Sequence, residues 1–85
     1  MTQKQINNLA KIYDDLMRMD GFDKAIIGVC IRCGDKPFFI YNHKKVIKIL
    51  MKGGMTEDEA IEYCNYNQMG AYVGETTPGF LVYGQ

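Results

Sequence analysis

The residues with the most chemistry in this chain are three thiols and one imidazole. Cys30-Ile31-Arg32-Cys33-Gly34 has a Cys-x-x-Cys-Gly spacing. That spacing sets two thiolates on one tetrahedral metal, and the glycine lets backbone N–H groups approach the sulfurs. Cys64 and His43 would complete a Cys3His set. Structural zinc sites usually show a second close ligand pair, however, and here the other two ligands are scattered. Cys30 also lies in an apolar run, where a free thiol packs well. Ordinary core cysteines are therefore the reading adopted, with no metal and no cofactor expected. A thioredoxin-type pair is disfavoured because that motif wants its first cysteine at a helix N-terminus.

Lys44, Lys48 and Lys52 fall at four-residue steps with Lys45 beside them, a basic ridge that could hold phosphates. No arginine or aromatic residue interleaves with them to read or stack on bases, so a solvated helix face is favoured. The acids Glu57, Asp58, Glu59 and Glu62 could neutralise this ridge within one molecule or across a dimer.

Residues 70–79 read Gly-Ala-Tyr-Val-Gly-Glu-Thr-Thr-Pro-Gly. Glycines let backbone N–H groups converge on an anion, and threonines add donors. The stretch does not match the phosphate-loop signature, since it has no Gly-Lys-Ser/Thr and no strand before it. It reads either as a structural loop packing Tyr72 and Val73 on the core or as a recognition loop. The candidate binding residues are Tyr72, Gly74, Glu75, Thr76, Thr77 and Pro78. Catalysis has little to stand on: the chain has one histidine and no serine, and nothing singles out a carboxylate pair.

Several elements must position these groups. Ile6, Leu9, Ile12, Tyr13, Leu16 and Met17 recur at three- and four-residue steps and predict a helix over 4–19. Residues 25–32 read as a buried strand, with Gly28 marking a bulge or a close backbone approach, and 38–41 as its hairpin partner. Asn42 caps a second helix over 43–52 that Gly53-Gly54 ends. Thr56 and Glu59 form a capping box for a third helix, to about residue 68, burying Ala60, Ile61 and Cys64. Residues 80–83 make a last short strand. The expected fold is α+β: a small antiparallel sheet of about three strands with three helices, in the order α-β-β-α-α-β. A sheet face carrying Phe38, Ile40 or Tyr83 would be left open, which predicts a homo-oligomer.

Eighty-five residues make one domain, 1–85. A chain this short buries only about 60–65% of its unfolded surface, so its stability margin is slim. Ten basic and ten acidic residues cancel, and no general field draws it to nucleic acid or membrane. The polar start is not a signal peptide, no run reaches a bilayer-spanning length, and three cysteines are an odd count. The expected compartment is the cytoplasm.

The stretch Gly54-Met55-Thr56-Glu57-Asp58-Glu59-Ala60-Ile61-Glu62-Tyr63, then Asn67, then Gly70-Ala71-Tyr72-Val73-Gly74-Glu75-Thr76-Thr77-Pro78, resembles the C-terminal half of small tailed-bacteriophage proteins of unknown function. The Gly28–Gly34 hairpin is similar to theirs as well. The resemblance implies a setting, a phage accessory protein in the bacterial host cytoplasm, and carries over no functional residue. The leading expectation is a non-enzymatic protein binding a host component or small nucleotide signal, countering bacterial defence. One alternative is a zinc-knuckle module binding nucleic acid through Cys30, Cys33 and the lysines. The other is a small hydrolase acting on a defence metabolite, which needs a pocket joining Glu75 and Thr76 to a carboxylate or His43.

Overall fold

Side-chain caps start all three helices. A computed structural model of the chain describes residues 1–13, 16–34, 36–66, 74 and 76–82. Helix α1, Gln3–Ile12, begins at Thr2, whose hydroxyl accepts the Gln5 N–H while the Gln5 side chain accepts the Thr2 N–H. Helix α2, His43–Lys52, begins at Asn42, whose side chain accepts the Lys45 N–H at 3.1 Å. Helix α3, Glu57–Cys64, begins at Thr56 with the same reciprocal pair to Glu59. Each cap satisfies backbone donors that a helix start leaves without partners. Gly54, at φ +111, makes the sharp turn between α2 and α3 in a conformation other residues avoid.

The order is α-β-β-α-α-β, an α+β fold as expected. Strand β1 is Ile26–Cys30, preceded by one tight turn at Asp23–Ala25, strand β2 is Phe38–Asn42, and strand β3 is Gly79–Leu81. Strands β1 and β2 pair antiparallel, with the register shifting between Ile26 and Gly28, the bulge that the glycine predicts. The sheet order is β1-β2-β3. The third strand corrects the expectation of an antiparallel sheet: β3 lies parallel to β2, Ile40 opposite Gly79 and Asn42 opposite Leu81, so the sheet is mixed. The physical reason is the connection. A parallel pair needs a crossover of a dozen residues or more, and the chain between β2 and β3 carries two helices.

Strand β2 alternates. Phe39 and Tyr41 are fully buried, while Phe38, Ile40 and Asn42 on the opposite face are half-buried. Phe39 and Tyr41 join Ile6, Leu16, Ala25, Ile26, Val46, Ile47, Ala60 and Cys64 in one core between the sheet and the helices. On the opposite face Phe38 lies across Gly79, where an added Cβ would come within 2.8 Å of a Phe38 ring carbon and 3.3 Å of the Ile40 Cδ1. Tyr83 lies outside the described residues. Among the described residues no helix is long and apolar enough to cross a membrane.

The first helix is shorter than its apolar spacing predicts, ending at Ile12 with Tyr13 as its cap. The chain then folds back along α1. Arg18 donates to the Asn7 side chain at 3.2 Å, and Gln3 donates to Asp23 at 2.9 Å. In a continuous helix the eleven-residue separation of Asn7 and Arg18 would hold them about 16 Å apart. Ile12 is left 68% exposed, while Leu16 still reaches the core. The expected end of the third helix, about residue 68, lies outside the described residues. Ile61, expected inside, is exposed, because only Ala60 and Cys64 of α3 face the core.

Tyr41 fixes the returning segment. Its buried hydroxyl accepts the Met19 N–H at 2.8 Å, and its ring meets Phe80 at a centroid distance of 5.9 Å. Burial pushes the phenol above its ordinary 10.0, an effect that the Met19 hydrogen bond opposes. A raised phenol favours the protonated folded state. Its stabilisation is complete below about pH 10 and is lost as pH climbs through the folded value. Tyr41→Phe should cost about 1–3 kcal/mol by stranding the Met19 amide, and should flatten the alkaline limb of stability above pH 10, both read by urea unfolding. Gly79→Ala should cost about 1 kcal/mol, since the half-buried Phe38 ring must swing aside. Combining it with Phe38→Leu should recover most of that loss in the same assay.

Candidate functional site

Of the residues expected to bind, Tyr72 and Glu75 lie outside the described residues. Gly74, Thr76, Thr77 and Pro78 are half-buried just before β3. Gly74 has φ +131, and its carbonyl accepts twice from Thr77, from the backbone N–H at 3.2 Å and from the hydroxyl at 2.6 Å. This closes a tight turn. The Thr77 hydroxyl, expected to reach a ligand, is committed to that turn, whereas Thr76 makes no hydrogen bond among the described residues.

The structure does not assemble the Cys3His set. Cys64 is sealed in the core, where burial pushes its thiol above the ordinary 9.0. Cys30 is half-buried at the end of β1, opposite Phe38, and Cys33 is exposed in the following turn. His43 is the first residue of α2 and half-buried. Among the described residues no group of three or more His, Cys, Asp or Glu is placed to hold a metal ion. The four candidates are divided between the helix-covered core, the strand end and the helix start.

The lysines do form a ridge. Lys44, Lys45, Lys48 and Lys52 are all exposed on α2, opposite Val46 and Ile47, which enter the core. Glu57, Asp58, Glu59 and Glu62 are all exposed on α3. The two helices pack against each other, yet no ion pair joins these groups among the described residues.

One surface went unnoticed in the sequence. Met55, Glu59, Glu62, Tyr63 and Tyr66 line an open groove of about 420 Å³ along one flank of α3. Residues 59, 62, 63 and 66 stand at steps of three and four, the spacing that places side chains on one helical face. That spacing is the signal in the sequence, and it emerges only when the helix-start acids and the tyrosines are taken as one face. Tyr66 is 77% exposed, and Tyr63 and Ile61 also show large apolar surface. The Thr56 N–H, and then its hydroxyl, hold the Glu59 carboxyl below its ordinary 4.5, so it is a carboxylate at neutral pH. Aromatic faces beside carboxylates attract cations and repel phosphate. A second groove, about 440 Å³, is lined by Asn7, Ala10, Lys11, Leu16 and Arg18. Its Arg18 is already engaged by Asn7 and by Asp23, the latter at 3.5 Å.

The geometry thus defines a small α+β domain with a fixed turn before its edge strand and two oppositely charged helices. Comparisons with protein-family models, with curated proteins and with solved structures found no match.

The placement of the thiols has a direct readout. Titration of the native protein with a thiol reagent should modify Cys33 fast and Cys30 more slowly, with Cys64 reacting only on unfolding. Peptide mass spectrometry assigns each step. Rapid labelling of Cys64 in the folded protein would contradict the core arrangement.

Proposed function

We propose that the chain is a non-enzymatic binding protein whose recognition element is segment 72–78, presented ahead of β3. The observation that carries this reading is the Gly74–Thr77 turn. A glycine conformation and a twice-donating threonine close the turn, while the half-buried Thr76 hydroxyl makes no hydrogen bond among the described residues. Binding residues on a loop held by a rigid neighbour lose little freedom when they engage a ligand. Catalysis is the weaker reading because its candidate groups are dispersed. Burial holds the Cys64 thiol toward its protonated, non-nucleophilic form, and among the described residues no group of three or more His, Cys, Asp or Glu comes together.

The resemblance to small tailed-phage proteins supplies the setting. In that reading the chain acts in the cytoplasm of a bacterial host as an accessory protein. It sequesters a host component or a small nucleotide signal and so counters defence. Native mass spectrometry with a panel of cyclic di- and trinucleotides, alongside affinity capture from host extract, tests it. The expected result is a bound species that is released unaltered on denaturation and is lost in a Tyr72→Ala, Thr76→Ala variant of unchanged Tm. Full binding by that variant would remove the loop from the site, and a chemically altered nucleotide would make the protein an enzyme.

A further inference from the structure

The α3 groove and the α2 ridge are complementary in charge. The groove offers the rings of Tyr63 and Tyr66 and the carboxylates of Glu59 and Glu62. The ridge offers Lys44, Lys48 and Lys52, with the exposed Met51 on the same helix. Within one molecule the two helices are packed side by side, so their outward stripes are not turned toward each other and no ion pair forms between them among the described residues. We propose that the groove seats the lysine ridge of a second copy of this chain, so that two copies dock about a twofold axis, each α2 against the other copy's α3.

Three observations favour a second copy over a foreign basic partner. Both complementary surfaces are on this chain and on neighbouring helices, the arrangement a twofold contact requires: the same patch on both partners, plus meeting minus twice. The ten positive and ten negative side chains give zero net charge, so copies meet without overall repulsion. Exposed Tyr63 and Tyr66 in the groove, and exposed Met51 on α2, add aromatic and apolar area to the charged groups, the composition found at interface centres. An ammonium over a tyrosine face and beside a carboxylate gains from both. The area is limited. Helices of ten and eight residues are about 15 and 12 Å long. They offer less than the roughly 800 Å² per partner of a standard interface, so the dimer is weak, micromolar or looser, and sensitive to salt. This contact is independent of the loop reading, and either can fail alone.

Sedimentation equilibrium over a concentration series, at low and high salt, tests it. The wild-type chain should dimerise at low salt and dissociate at high salt. Lys48→Glu and Glu62→Lys each set like charges against each other twice and should weaken dimerisation about tenfold or more. Both residues are exposed, so the fold, checked by circular dichroism, should be unaffected. An equimolar mixture of the two variants pairs opposite charges at both contacts and should restore the dimer as a heterodimer. A wild-type chain that stays monomeric at low salt overturns the proposal. So does a dimer indifferent to both substitutions, which would place the interface elsewhere, as on the Phe38 face of the sheet. A monomer that instead binds a short polylysine peptide through Glu62 would assign the groove to a foreign basic partner.

Discussion

A phenol oxygen sealed inside a small domain has to find a partner, and Tyr41 finds the amide of Met19. Leaving either group without one costs about 1–3 kcal/mol, a large share of the margin available to so short a chain. That requirement organises much of the molecule. It brings the segment after α1 back across the sheet, aided by Arg18 on Asn7 and Gln3 on Asp23. It places Leu16 in the core and ends the first helix early. The same tyrosine sits between Ile26 on β1 and Phe80 on β3, so one side chain joins all three strands to the first helix's return.

Once the core is filled from one side, the remaining chemistry is sorted outward. Helix α2 turns Val46 and Ile47 inward and every lysine outward, while α3 turns Ala60 and Cys64 inward and its acids and tyrosines outward. Neither helix can satisfy the other's charge, because the surfaces that pack them together are the apolar ones. A neutral chain therefore carries a polarised face. The turn before β3 has another origin: β3 must enter at Gly79, where Phe38 leaves no room for a side chain, and Gly74 and Thr77 set the approach.

What the sequence made legible follows the reach of the interaction involved. Asn42 as a cap, α2 over residues 43–52 and the Thr56–Glu59 box are local devices spanning three or four residues, and they read correctly. The bulge beside Gly28 was legible for the same reason. The Thr2–Gln5 box is equally local, and it starts α1 at Gln3, one residue before the first position expected from the apolar spacing. The end of α1 was not legible. Ile12, Tyr13, Leu16 and Met17 keep helical spacing, and only contacts to residues far along the chain break it. The direction of β3 was hidden as well, since three residues record no polarity and only the crossover decides it. Of the expected site, Gly74, Thr76 and Thr77 lie in one turn that Pro78 follows, with Thr77 turned to an internal task. The α3 groove was written plainly at positions 59, 62, 63 and 66, but it needed the tyrosines and acids to be read as one face.

The parallel pairing of β2 with β3 bears on the order of assembly. The β1–β2 hairpin and the α2–α3 pair close short loops, whereas β3 can dock only after the whole intervening crossover has brought its ends together. Until β3 docks, the outer edge of β2 has no neighbour. A strand edge in that condition templates addition of any extended chain, including another molecule of the same protein. The brevity of β3 makes its closure easily reversed, so the hazard returns whenever that strand lifts away.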